Sequence, residues 1–354
     1  MDYTHDLSPR NIIKLAFQYQ ETEYVPYIVE LSEYQKNALT KYYGNFDWQS
    51  KVIEYLSVTG GITGVDNFFS LEQGVNSLLD LDKMSVQKDS FGCTWKLGAA
   101  CHLVSWPLKD QKIGDYRLPD LKNYFEKYIK PRWPNDIKKT KNQFRVIAHS
   151  FGLFERAWSL RSFEEFLMDI ITNEKFVVEL LDNITDWLIQ SVDLMAQAPV
   201  DAIFFTDDHS YQKGMIMGER KWRKLFKPRW KKIFDRVHYY GLYTVMHMCG
   251  DTSSVVPDLI DIGLDCMESC QPEAMDIYAL KKKYGKHIRF WGGLGVQKLM
   301  AFDTHDSVRQ EVKKLKKEMG KGGGYIIAGA KPFENEVPIE NIVAYLEEAK
   351  LPRK

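Results

Sequence analysis

Apolar residues in the second half of the chain fall into short, near-continuous runs at 144–148, 202–205, 242–246, 264–267, 288–291 and 325–328. Helix-length periodic stretches separate them, so the pattern reads as strands alternating with helices. Strands that are apolar throughout, joined by helical crossovers, call for a parallel sheet covered on both faces. A further strand is predicted at 25–30, and one more fits between 57 and 65. Eight such units close most economically as a (β/α)8 TIM barrel in a single domain spanning 1–354, with a doubly wound sheet as the alternative. Ser8-Pro9 places a capping hydroxyl before a proline at the first helical position, which predicts an N-terminal helical extension running through Gln20. The stretch 82–119 is rich in aromatics, Gly and Pro and has no helical period. It reads as an insertion of short strands and loops that caps the barrel mouth.

In a parallel barrel, chemistry gathers where strands end and loops begin. The run 242–246 leads into His247-Met248-Cys249-Gly250-Asp251, and in a strand residues i and i+2 share a face. His247 and Cys249 therefore project together, an imidazole nitrogen and a thiolate sulfur suited to zinc. A third ligand must come from a neighbouring strand. Cys266, Glu268 and Cys270 also share a face by the same spacing, and Cys270, furthest toward the mouth, is the favoured candidate, with Glu268 and Glu334 as fallback oxygens. Cys266 reads as a small buried hydrophobe, which is what most isolated cysteines are. His149, Asp207 and Lys331 stand at other strand ends and are read as catalytic groups. Phe91, Trp95, Tyr211 and Glu268 are candidates for a substrate pocket, together with Trp106, although aromatic residues of this kind are more often core.

Charge narrows the partners. The 354 residues carry 48 Lys and Arg against 48 Asp and Glu. Such balance gives no electrostatic reason to expect nucleic acid or an anionic membrane. No apolar run is long enough to cross a bilayer and the first residues are polar and acidic, so a soluble cytoplasmic protein is expected. Five cysteines are too few for a disulfide scaffold of this length, and three of them crowd near His247.

These segments carry a resemblance. His247-Met248-Cys249-Gly250-Asp251, Gln271-Pro272-Glu273-Ala274-Met275-Asp276, Phe290-Trp291-Gly292-Gly293 and Gly323-Gly324-Tyr325-Ile326-Ile327 resemble the uroporphyrinogen decarboxylase superfamily, over nearly the full length from Ser8. The resemblance implies a (β/α)8 barrel and one of two chemistries. The decarboxylase branch grips its polycarboxylate substrate with an arginine-rich segment soon after the first strand. Here that stretch is Tyr27-Ile28-Val29-Glu30-Leu31-Ser32-Glu33, with two acids and no arginine. The other branch contains corrinoid-dependent methyltransferases, whose His-x-Cys zinc pair matches His247 and Cys249. Their usual third cysteine, in the loop after the last strand, corresponds to Lys331 here, and some members offer a glutamate where Cys270 stands. Asp207-Asp208-His209-Ser210-Tyr211-Gln212 is similar to an Asp-Asp-x-x-x-Gln run that borders the active site in that branch.

The expectation is a zinc-dependent methyltransferase that moves a methyl group between a small methoxylated or methylthiolated compound and the cobalt of cobalamin held by a separate corrinoid protein. The chain lacks the Asp-x-His-x-x-Gly run that supplies a cobalt ligand in such carriers. One rival is a decarboxylase of another carboxylated small molecule, using Asp207 and Asp208. A second is a non-enzymatic binding module on an inherited barrel.

Overall fold

The computed structural model describes residues 8–44, 47–60, 86–96, 101–109 and 112–353. In chain order its strands are β1 (Leu56–Gly60), then the small antiparallel sheet β2 (Val86–Lys88), β3 (Thr94–Lys96) and β4 (His102–Ser105). Next come β5 (Phe144–His149), β6 (Ala202–Thr206) and the short hairpin β7 (Ser210–Tyr211) and β8 (Gly214–Met215). The last four are β9 (Tyr243–His247), β10 (Cys266–Ser269), β11 (Arg289–Leu294) and β12 (Tyr325–Gly329). β1, β5, β6, β9, β10, β11 and β12 form one curled parallel sheet in that order. Helices cross over between most consecutive strands, as the alternating pattern requires.

The segment at 27–31 supplies the eighth position. It bridges β12 in parallel through Tyr27 with Ile327, and the loop beyond through Leu31 with Phe333. Ile28 donates its N–H to Ile327 at 2.8 Å and Phe333 donates to Glu30 at 2.9 Å. On its other side this segment does not pair with β1 among the described residues; a cleft of about 500 Å³ lined by Tyr27, Val29, Trp48, Tyr55 and Val58 separates them. The architecture is thus a TIM-barrel-like sheet of seven paired strands plus a loosely joined eighth. Residues 61–65, 82–85, 97–100 and 110–111, parts of the expected hidden strand and insertion, lie outside the described residues.

The N-terminal helix Pro9–Phe17 closes the floor. Ser8 accepts from the Asn11 N–H and Pro9 opens the helix, as its sequence requires. Phe17 stacks on Phe144 of β5 with ring centroids 5.0 Å apart and on Tyr243 of β9 at 4.8 Å. Arg289 clamps the helix end by donating to the Phe17 carbonyl at 2.6 and 2.8 Å. A second tie joins the crossover helix Lys227–Tyr239 to the foot of β10, where His238 Nε2 lies 2.8 Å from Asp265 Oδ2. That hydrogen bond raises the His238 pKa above its ordinary value. A folded pKa above the unfolded one stabilises fully below the unfolded pKa of about 6.5, and the contribution fades as pH rises through the folded value. The stability gap between the protein and His238→Gln, read from urea midpoints, should therefore shrink from about pH 6 to about pH 9.

Among the described residues, no helix is long and apolar enough to cross a membrane. The inserted β2–β4 sheet packs on the helix Leu153–Arg161 that follows β5. Trp95 lies 5.9 Å from Phe151 and 6.0 Å from Trp158, while the Arg156 guanidinium sits 3.5 Å over Phe91.

Candidate functional site

Parallel register puts paired residues on the same side of the sheet. Thr206 pairs with His247, His247 with Glu268, and Glu268 with Trp291. These four form one layer near the C-terminal strand ends. Phe204 faces the same interior, 5.6 Å from Trp291 and 6.4 Å from His247 between ring centroids. Its neighbour Phe205 points the other way, into Trp230 and Phe234 of the helical layer.

His247 is anchored through Nδ1 and turns Nε2 toward Cys249 and Asp208. Its Nδ1 makes a short hydrogen bond to the Glu268 carboxylate. Nε2 lies 3.3 Å from the Cys249 sulfur and 3.7 Å from Asp208 Oδ1. Asp208 is itself aimed by the Cys249 N–H, which donates to Oδ1 at 2.8 Å. Ligand atoms of Asp208, His247 and Cys249 all lie within 4.8 Å of one another. Burial opposes charge on the imidazole, but Glu268 and Cys249 beside it hold the His247 pKa well above the usual range.

Gly250 is what lets this edge form. It adopts φ of 85° and its α-carbon presses on the Tyr211 backbone, where a Cβ would collide. The β7–β8 hairpin is thereby pinned over the site, with Asp251 donating to the Tyr211 carbonyl at 2.8 Å and Ser210 donating to that of Cys249.

Cys270 does not join the cluster. The alternation that put it beside Glu268 ends at Ser269, because Ser269 and Cys270 take φ of 66° and 43° in succession. Two left-handed residues turn the chain out of the strand. The Cys270 thiol points back to the Met267 carbonyl at 3.4 Å, fully buried, and burial pushes its pKa up. Asp208 stands where the third group was expected. Glu268 sits behind His247, and Glu334 is not among the three clustered ligands.

Asp207 also differs from expectation. Fully buried, it accepts from the N–H groups of Phe154 and Glu155 at 2.9 Å, capping the helix Leu153–Arg161 from across the sheet. Gly152 makes the approach possible, since a Cβ there would lie 2.8 Å from Asp207 Cβ. Both Asp207 oxygens accept from this helix N-terminus, and Oδ2 also lies 3.7 Å from His209 Nδ1. Asp207→Ala should destabilise the fold by about 2–3 kcal/mol, because it strands buried N–H donors that were bonded to a charged group. Denaturant unfolding measures this, and Asp207→Asn should cost less.

His149 faces the helical layer rather than the mouth. Its ring packs 5.5 Å from Trp187 and 6.1 Å from Phe205, and burial drives its pKa down to about 3. Phe91 and Trp95 are 2% and 3% exposed, core of the inserted sheet rather than pocket walls. Tyr211 is exposed on the hairpin, and Lys331 lines a small cleft with Glu30, Glu268 and Trp291.

Two acids were not foreseen as site groups. Glu155, in the first turn of the helix after β5, accepts from Thr206 Oγ1 at 3.2 Å. Burial and the nearby Asp207 and Asp208 push it up to about 8. Glu30, on the eighth strand, is pushed up to about 7 by desolvation and Glu268. Asp208, read from the sequence as bordering the site but not as a possible ligand, stands two residues past Thr206 as Cys249 stands two past His247, and those strand ends are paired.

Comparison with known proteins agrees with the fold. A solved methyltransferase from Methanosarcina mazei superposes with a TM-score of 0.68, at 17% identity, covering 97% of this chain and 98% of that one. A methylated-thiol–coenzyme M methyltransferase from Methanosarcina mazei is 23% identical over 170 residues, 48% of this chain. That match spans 43% of the relative's length. The family model for uroporphyrinogen decarboxylase (URO-D) matches residues 135–351, which takes in β5 through β12 and every member of the His247 cluster. By that match the chain belongs to the uroporphyrinogen decarboxylase family.

Proposed function

We propose that the protein is a zinc-dependent methyltransferase acting between a small methylated compound and a separate corrinoid protein. The observation that carries this reading is the convergence of Asp208, His247 and Cys249 with His247 Nδ1 already engaged by Glu268. Oxygen, nitrogen and sulfur within one small sphere fit a borderline-soft ion, and three protein ligands leave a position for substrate. When bound there, zinc supplies Lewis acidity toward the sulfur or oxygen that carries the methyl group.

The chain's own residues do the rest. Glu268 fixes the imidazole tautomer so that Nε2 offers its lone pair, and Asp208 is held in place by the Cys249 N–H. Phe204 and Trp291 line the interior beside His247 and keep the reacting region poor in water. In the demethylating direction, the carbon–sulfur or carbon–oxygen bond breaks with its electron pair left on the heteroatom. A reduced corrinoid on the partner would supply the nucleophile that accepts the methyl group. Uroporphyrinogen is disfavoured as substrate because residues 27–33 offer Glu30 and Glu33 where a polycarboxylate needs guanidinium groups. A decarboxylase using both aspartates is disfavoured by the commitment of Asp207 to the helix cap.

The test mixes zinc-loaded protein with a corrinoid protein held as Co(I) and a panel of methyl thioethers and ethers. At least one donor should produce the methyl-Co(III) spectrum, Cys249→Ala should produce none, and uroporphyrinogen should remain intact. Uroporphyrinogen turnover with silence toward every methyl donor would overturn the proposal.

A further inference from the structure

Two strand edges face each other across the cleft between the eighth strand and β1, and among the described residues neither is paired on that side. Toward β12 the eighth strand bonds through alternate residues: Ile327 donates to the Pro26 carbonyl at 2.9 Å, Ile28 donates to Ile327 at 2.8 Å, and Phe333 donates to Glu30 at 2.9 Å. Alternate residues of a parallel ladder bond to the same side, so the backbone groups of Tyr27, Val29 and Leu31 are turned into the cleft. On the opposite wall Phe144 donates to the Tyr55 carbonyl at 3.0 Å, with Leu56 in register with Phe144. That pattern turns the backbone groups of Leu56 and Val58 away from β5, toward the same cleft. All five residues line it. The Tyr27 hydroxyl, accepting from the Ile53 N–H at 3.1 Å, ties the two walls together at the foot.

The volume between the edges, about 500 Å³, is that of a ligand site. Trp48, Val52 and Tyr55 add apolar surface to its lining. The Ser57 hydroxyl, on the same lining, is buried with no hydrogen-bond partner. Charge stands at the two ends and is already engaged: Lys36, just past Leu31, lies 2.6 Å from Glu33, and Glu54, just before Tyr55, accepts from Gln143 at 2.6 Å. A neutral slot between two rows of amide groups suits neither an ion nor a compact apolar ligand, which would shut both rows away from water without replacing their hydrogen bonds.

We infer that this cleft binds a short extended stretch of a partner polypeptide, which enters the barrel wall as an inserted strand between residues 27–31 and β1. An extended chain presents N–H and C=O groups alternately to its left and right, so one peptide satisfies both open edges at once. About four or five residues, at roughly 3.3 Å each, cover the facing lengths. Uncharged residues with β-branched side chains fit the neutral, apolar lining. The site is separate from the proposed methyl transfer, since Asp208, His247 and Cys249 are not among the residues that line it.

The experiment titrates the full chain by calorimetry with an acetylated and amidated Thr-Val-Thr-Val-Thr peptide and with the same peptide N-methylated at both valines. The first should bind one to one, and the second about tenfold or more weaker, because it cannot donate to one of the edges. Val29→Pro and Val58→Pro each remove an N–H that faces the cleft and leave the bonds to β12 and β5 in place. Each should weaken binding about tenfold or more while still unfolding cooperatively in urea, whereas Val58→Thr, which keeps the N–H, should bind as the unchanged protein does. If a proline variant fails to fold, the N-methylated peptide still decides. No binding of the first peptide, or equal binding of the two peptides, overturns the inference. A dimer that forms with rising protein concentration and is dispersed by the peptide overturns the separate partner and gives the slot to a second copy of the chain.

Discussion

Protein purified without added metal should hold about one zinc ion per chain, and His247→Ala and Cys249→Ala should each lose nearly all of it. The fold should survive, because the barrel core of large apolar side chains does not depend on an ion at its rim. The sharper comparison is between Asp208 and Cys270. Asp208→Ala removes a ligand and should weaken zinc binding by about tenfold to a hundredfold, as chelator competition would show. Cys270→Ser should leave zinc content unchanged, since its thiol is turned into the core toward Met267. X-ray absorption should find one sulfur, not two, among the zinc ligands. Two sulfur scatterers, or metal loss in Cys270→Ser alone, would reject the assignment.

The second large effect belongs to Glu268. It does not reach the Asp208–His247–Cys249 cluster as a ligand, yet it holds His247 Nδ1 and so decides which nitrogen faces the cluster. Glu268→Gln keeps the shape and a hydrogen-bonding oxygen but removes the charge. Zinc affinity and methyl transfer should both fall by about tenfold to a hundredfold, with thermal stability little changed. A purely structural role would give the opposite split, a lower unfolding midpoint with metal affinity intact.

The fold was readable because parallel strands buried on both faces write themselves as apolar runs, and each expected run in the second half became a strand of the barrel sheet. His247 and Cys249 were readable for the same reason: the i, i+2 rule holds wherever the backbone stays extended or nearly so. That rule failed one strand over. Cys270 is four residues past Cys266 in sequence, but the left-handed pair at Ser269 and Cys270 breaks the alternation, and nothing in the residue types announces it. His149 was misplaced by a single step of the pleat, since strand ends supply polar residues to both faces and only tertiary packing against Trp187 shows which. Asp207 and Asp208 are adjacent in sequence and opposite in role. One caps a helix from behind while its neighbour reaches the mouth, a division visible only once the helix Leu153–Arg161 is in place. Glu30 and Glu155 come from elements far from the motif, so no local spacing could join them to it.

The pair of left-handed residues closing β10 also acts as an end stop for strand registry. Sliding β10 by one residue along β9 would send Glu268 to the outer face and leave the His247 Nδ1 proton without its acceptor. Such a slip would need Ser269 and Cys270 to straighten. On the neighbouring strand, Gly292 lies so close to the Ser269 backbone that even a methyl group would not fit between them. The bend therefore works like a tooth in a notch. Non-glycine residues held at such φ values cost about 1–3 kcal/mol each. Relieving that strain with glycine at 269 or 270 would stabilise the chain locally while freeing the strand to shift, so greater stability would come with a blurred imidazole–carboxylate alignment.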